Sequence, residues 1–221
     1  MRKGGDNLKN LDINYLTIDQ GCDLKDIRTR LEELDSHKID SVNWSDYSYK
    51  PEVSFNIAYS DYAIYINYRV FEGSVLATKS EINSPVYKDS CVEFFVSMDL
   101  ERYFNFEFNC IGTKYGGSGF DRSSGTTMSS DKVKKIRTFS TLGDKTFTEK
   151  EIFEPWNLVV EIPLELFTTK NIEEIKGSSG RANFYKCGDE MSKPHFISWN
   201  KIETKDPDFH RPEFFGQINF K

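Results

Sequence analysis

The sequence predicts an all-β protein, an antiparallel β-sandwich with an N-terminal helical extension. Three observations predict it. Short apolar runs of strand length recur along the chain with turn signals between them, one of these runs alternates strictly, and clear helical periodicity occurs once, near the N-terminus. Many short strands with little helix must bury their apolar faces against each other, which calls for two packed sheets.

The helix comes first. Leu24, Ile27, Leu31 and Leu34 recur at helical spacing within DLKDIRTRLEEL (23–34), with Asp23 as N-cap and Asp26 in the first turn. VSFNIAY (53–59) and AIYINYRV (63–70) are strands joined through Ser60-Asp61-Tyr62. CVEFFVSM (91–98) and YFNFEFNCI (103–111) form a second pair, with Asp99-Leu100-Glu101-Arg102 as the turn of an antiparallel hairpin. In the latter strand Phe104, Phe106, Phe108 and Cys110 share one face, and Tyr103, Asn105, Glu107 and Asn109 share the other. That period of two predicts a half-buried strand with one polar face. Further strands are expected at 134–141, 157–162, 181–187, 196–199 and 216–220. Pro163 ends the strand before it, and 164–167 reads as a single helical turn. The Gly- and Ser-rich YGGSGFDRSSGTTMSSD (115–131) reads as a surface loop. No internal repeat is visible.

The chain has 221 residues, long enough to bury a sizeable core, and a net charge of −6. That balance argues against binding nucleic acid or an anionic membrane, both of which need a basic footprint. No apolar run follows the basic start MRKGGDNLKNLDINYL, so no signal peptide is read. A full-length chain of this sequence is expected to be cytoplasmic. No stretch approaches the ~18–20 apolar residues of a membrane span. Aromatic residues are abundant: 18 Phe, 11 Tyr and 3 Trp. Some must be core, and others suit places where an apolar face meets water.

The chemistry-bearing motifs are few. Cys22, Cys91, Cys110 and Cys187 form no CxxC pair, which argues against a zinc site. Three of them sit in apolar strands as small buried thiols, and a Cys91–Cys110 disulfide requires their strands to pair at suitable spacing. Gly116-Gly117-Ser118-Gly119 lacks the helix and Lys-Ser/Thr of a phosphate cradle and reads as a flexible hairpin loop. No GxSxG elbow is present, and His37, His195 and His210 are scattered. Carboxylates are more suggestive. Asp89 and Glu93 flank a strand start, and Glu93 shares a face with Cys91 and Phe95. A carboxylate there is costly unless it is bonded. It is either a structural or calcium-linked group, or a hydrogen-bond acceptor for sugar hydroxyls. The closing segment from 183 onward mixes aromatics with Asn, Lys, Asp, His and Arg, the flat-plus-polar pairing that a sugar's C–H faces and hydroxyls require.

At these residues the chain resembles the carbohydrate-binding module family 9-like proteins. VYKDSCVEFFVSMD (86–99) is similar to the family's aromatic-x-Asp-Ser-x-Glu-x-Phe strand, followed by Asn109 and Gly112. WNLVVEIPLELF (156–167), RANFYKCGDE (181–190) and FHRPEFFGQINF (209–220) complete the order, with Pro212, Phe215 and Gly216 the most specific piece. The resemblance covers about residues 40–221. It implies an immunoglobulin-like β-sandwich domain over 41–221, with 1–40 as an extension whose helix 23–34 packs on it. It implies a non-catalytic carbohydrate-binding protein linked to polysaccharide degradation. Two exposed aromatic platforms, Tyr87 and Phe209, would clamp a terminal sugar of an oligosaccharide or polysaccharide, where the family's known binders carry Trp. Glu93 would bond its hydroxyls, with Lys114 or Arg122 as the basic partner and Asn183 as the amide. The resemblance also implies structural calcium on loop carboxylates and, for many relatives, an address outside the cytoplasm. The alternative is a glycoside hydrolase, which needs a second carboxylate about 5–10 Å from Glu93. A third reading, a haem-binding sandwich, needs an axial Met/His pair, for which Met98, Met128, Met191 and His210 are the available residues.

Overall fold

The computed structural model describes residues 8–99, 101–168 and 170–221. The first residues of the basic N-terminal start, and Leu100 of the expected hairpin turn, lie outside the described residues. Among the described residues the strands are β1 (Asn10–Tyr15), β2 (His37–Lys38), β3 (Ser41–Val42), β4 (Glu52–Tyr59), β5 (Ala63–Phe71), β6 (Ser74–Ala77), β7 (Cys91–Ser97) and β8 (Tyr103–Asn109). They continue as β9 (Lys114–Gly119), β10 (Thr126–Thr127), β11 (Arg137–Ser140), β12 (Phe147–Glu151), β13 (Trp156–Pro163), β14 (Ser179–Cys187), β15 (Phe196–Ser198) and β16 (Gly216–Phe220). The helices are α1 (Leu24–Glu32), α2 (Ser130–Val133) and α3 (Ile172–Ile175).

The strands form two layers. One runs β10-β9-β8-β7-β14-β16-β1 and the other β1-β4-β5-β13-β11. Almost every pairing is antiparallel, as the sequence predicts. The departure is β1, which pairs parallel with β16 through Asn10–Ile13 and parallel with β4 through Asn14 and Tyr15. This strand was not expected. Its alternation of exposed Asn and Asp with buried Leu11 and Ile13 spans too few residues to stand out. By pairing with one sheet and then the other it closes a seam that would otherwise leave two open edges.

Between the layers lies an apolar core. Phe55 of β4 stacks on Phe184 of β14 with centroids 3.9 Å apart, and Phe94 meets Phe184 at 5.0 Å. Val92, Val96, Phe106, Phe108, Ile66, Leu158 and Val160 fill the space around them. α1 covers the outer face of the second sheet. Leu24, Ile27 and Leu31 pack on Ala58, Ala63, Tyr65 and Val159, and the Asp23 carboxylate caps the helix by accepting from Lys25 N at 2.8 Å. The predicted helical turn after Pro163 is a 3-10 turn at Leu164–Leu166.

Two expectations change. The glycine run is a strand, not a loop. β9 pairs with β8 over six residue pairs, placing Gly116 opposite Phe106 and Gly117 opposite Asn105. A Cβ on Gly117 would sit 2.7 Å from Asn105 Oδ1, and one on Gly116 would sit 2.9 Å from Val133 Cγ2. These glycines are there because neighbouring side chains occupy the space above the strand. The second change concerns β8. Its polar face is not in water: Asn105, Glu107 and Asn109 are all buried. That face belongs to the site.

Candidate functional site

The outer face of β7, β8 and β14 forms the floor of a cleft of about 630 Å³. Register places the floor residues. Glu93 lies directly opposite Glu107 on β8 and directly opposite Tyr185 on β14. Cys91 lies opposite Cys187, and Asn105 stands next along β8 on the same face as Glu107. Side chains opposite each other on an antiparallel ladder have Cβ atoms about 4.5–5.5 Å apart, so the two carboxylates stand side by side.

Loops build the walls. Tyr87 stands on the 3-10 turn Val86–Lys88 before β7. The segment leaving β14 is stitched to that turn: Asp189 N donates to Tyr87 O at 3.2 Å, Glu190 N to Lys88 O at 3.1 Å, and Lys88 pairs with Glu190 at 2.7 Å. Tyr87 remains 40% exposed. On the other side Phe209 is 7% exposed, and its ring lies flat on Tyr185 at 4.2 Å. Tyr185 also donates its hydroxyl to Phe209 O at 3.1 Å. The two expected platforms therefore differ. Tyr87 is an open ring, whereas Phe209 has one face spent on Tyr185 and is part of the wall. Arg122, from the β9–β10 connection, donates from Nε to Asp208 Oδ1 at 3.0 Å and lines the same cleft.

Electrostatics set this floor apart. Burial pushes the Glu93 carboxyl well above its usual range, and the Cys187 thiol and Glu107 push it further. Burial raises Glu107 to about 7, while the Asn105 amide, donating at 2.9 Å, draws it back. Asp189 rises to about 6 by burial, with Arg122 and Lys88 opposing. His210 falls to about 4, by burial and by the nearby Arg122, so it is neutral near pH 7. Its Nδ1 lies 2.7 Å from the Tyr103 hydroxyl, within hydrogen-bond distance.

The structure thus brings Tyr87, Glu93, Phe209 and Arg122 into one cleft. It does not bring Lys114 or Asn183 there. Lys114 Nζ donates to Ile136 O at 2.6 Å. Asn183 donates to Asn200 O at 3.0 Å and accepts from Asn200 N at 2.8 Å, tying β14 to the following loop. Sequence reasoning missed Glu107, Asn105, Asp189, Asp208 and His210. Glu107 and Asn105 did carry a signal: they lie on the polar face of an alternating strand. Asp89 is no loose carboxylate. It accepts from Thr78 N, Thr78 Oγ1, Lys79 N and Asn109 Nδ2 at 2.8–3.0 Å, which accounts for its burial. Cys91 and Cys110 are free thiols, and Cys110 lies in the inter-sheet core, on the other face from Cys91. Among the described residues, the grouped metal-capable donors are Cys91, Glu93 and Cys187. Two thiols do not suit calcium, which takes oxygen ligands.

A two-layer β-sandwich with an aromatic and carboxylate cleft on its outer face defines a carbohydrate-binding class of domain. The family model described as carbohydrate-binding family 9 matches residues 24–220. The chain belongs to that family. A candidate carbohydrate-binding protein from Bacteroides uniformis is 36% identical, with the match covering 97% of this chain and 100% of that one, at a TM-score of 0.91. A family 9 module from Caldicellulosiruptor kristjanssonii in complex with glucose is 18% identical, covers 96% of each chain and has a TM-score of 0.62. The complex with cellotriose is 16% identical, covers 96% of this chain and 94% of that one, and has a TM-score of 0.63. At that identity these two share the fold. Among curated proteins, none matches this chain. No helix among the described residues is long and apolar enough to cross a membrane.

Proposed function

We propose that the cleft binds the end of a neutral oligosaccharide or polysaccharide without cleaving it. The observation that carries this reading is the pairing of an open tyrosine ring, Tyr87, with a buried acidic floor, Glu93 beside Glu107, in a cleft of about 630 Å³. That volume lies within the ~300–1,000 Å³ of small-molecule sites. Tyr87 offers its face to the C–H surface of a pyranose ring. Glu93, Glu107 and Asp189 accept hydrogen bonds from its hydroxyls, and Arg122 donates. Phe209 closes the wall. Excess carboxylate turns away uronic or sulfated sugars.

Glu107 is the second carboxylate near Glu93 that a hydrolase needs, yet its placement supports binding over hydrolysis. A glycosidase places its acid and its second carboxylate on the two sides of the scissile bond. Glu93 and Glu107 rise from the same floor on adjacent strands. Family 9 modules that hold glucose and cellotriose support the choice of sugar class. A role in polysaccharide breakdown is then that of a targeting module beside a separate enzyme. In this reading no step of sugar binding passes through calcium.

The test is calorimetric titration of the chain with glucose, cellobiose, cellotriose and a panel of neutral oligosaccharides, alongside hydrolysis assays on the same sugars. Binding with micromolar to millimolar affinity and no cleavage is expected. No heat with any neutral sugar, or steady release of reducing ends, would sink the proposal.

A further inference from the structure

We propose that Cys91, Glu93 and Cys187 form a binding site for a thiophilic divalent cation of the zinc type, opening onto the cleft. The three donor atoms lie within 4.8 Å of one another, and all three residues are buried. Cys187 Sγ is already 3.2 Å from Glu93 Oε1. A tetrahedral zinc ion, with bonds of about 2.3 Å to sulfur and about 2.1 Å to oxygen, holds its donors about 3.6–3.8 Å apart. A small inward shift of one side chain therefore completes three of four positions. Glu93 and Cys187 border the cleft, which gives the ion an entry path and leaves the fourth position to water.

The surroundings leave a bound cation little competition. Glu93 stands directly opposite Glu107, an arrangement that is unfavourable for two like charges. The nearby cations are committed elsewhere. Arg122 is paired with Asp208 at 3.0 Å. Lys186, the neighbour of Cys187 on β14, pairs with buried Glu72 at 2.8 Å. A divalent ion bound by both thiolates and the Glu93 carboxylate would favour their ionised forms, and each thiol, together with the Glu93 carboxyl, releases its proton to solvent as the ion binds.

Cys110 is the internal control. It is equally buried, but its thiol donates to Leu76 O in the inter-sheet core and, among the described residues, is not one of the grouped donors. Cys91 and Cys187 meet across two strands 96 residues apart in sequence, which is why no CxxC spacing announces them.

The test uses the full chain, reduced and free of sugar. Zinc is titrated against a chromophoric chelator, and cobalt against the ultraviolet and visible spectrum. A single equivalent of zinc is expected, with a sulfur-to-cobalt charge-transfer band and proton release that scales with buffer ionisation. Cys91→Ala and Cys187→Ala, checked for folding by circular dichroism, should lose the zinc equivalent and the band. Cys110→Ala should keep both. Glu93→Gln should weaken zinc while retaining the sulfur band. Failure of the reduced wild-type chain to take up zinc, or uptake unchanged in folded Cys187→Ala protein, overturns the site. Because no sugar is present, neither result bears on the carbohydrate reading.

Discussion

The three strands β7, β8 and β14 have two buried faces, and the two could hardly differ more. On the face turned toward the second sheet, Val92, Phe94, Val96, Phe106, Phe108 and Phe184 interlock with Phe55 and Tyr68. The charges at its end, Lys186 and Glu72, are paired at 2.8 Å, and His195 Nε2 accepts from Lys186 Nζ at 2.7 Å. On the opposite face the same strands carry Cys91, Glu93, Asn105, Glu107, Tyr185 and Cys187, and here carboxylates face carboxylates. Both faces are buried, so burial alone does not mark a site. What sets the cleft face apart is that carboxyls stand beside carboxyls there, with no buried basic partner of the Lys186–Glu72 kind among the described ion pairs.

The largest test of that contrast is Phe184→Ala. Removing a ring stacked at 3.9 Å in the inter-sheet core should cost about 3–5 kcal/mol in denaturant unfolding. Sugar affinity in the fraction that stays folded should change little. If affinity collapses in folded protein, the two faces are not separable.

Acid stability comes next. Burial and the adjacent Lys186 ammonium lower His195 to about 3, from an unfolded value of 6.5. The folded chain therefore holds this histidine neutral while the unfolded chain takes up a proton below pH 6.5. Its contribution is complete above that pH and is lost as the pH falls toward 3, by about 1.4 kcal/mol per pH unit. Urea melts of wild type and His195→Gln across this window should show a shallower acid slope in the variant. Parallel slopes would mean that the buried network does not act as described.

On the cleft face, Glu93→Gln should lower sugar affinity by about 1–3 kcal/mol, the cost of mispairing a buried hydrogen-bonding group. Stability should change little, because burial already pushes this carboxyl toward its neutral form beside Glu107. Reduced stability with unchanged calorimetric affinity would reverse the assignment of the two faces. The smallest effect is expected for Tyr87→Ala. The ring is 40% exposed and carries little of the fold. Its loss should weaken sugar binding by about 1 kcal/mol, roughly fivefold, with an unchanged melting temperature.

Much of the fold was legible locally. α1 follows from the spacing of Leu24, Ile27 and Leu31, and the hairpin of β4 and β5 from two strand-like runs around Ser60-Asp61-Tyr62. Of the site, Tyr87, Glu93 and Phe209 came from the family resemblance, and Arg122 was one of two choices. Lys114 was not separable from Arg122 in sequence, since both are basic residues near the same hairpin. Only the fold shows Lys114 Nζ committed to Ile136 O at 2.6 Å. Asn183 likewise shares the cleft-side face of β14 with Tyr185, but its amide is used up by Asn200.

The sequence by itself determined that Asn105 and Glu107 share one side of β8 and Phe106 and Phe108 the other. A period of two is a local property of the extended backbone. It says nothing about what covers each side. The tertiary structure decided that the polar side is buried, because the Phe209 loop and the Tyr87 turn rise around it from distant parts of the chain. It also decided that Glu93 meets Glu107, that Cys91 meets Cys187, and that the glycine run is a strand. Each of these depends on register between segments far apart in sequence, which no local pattern encodes.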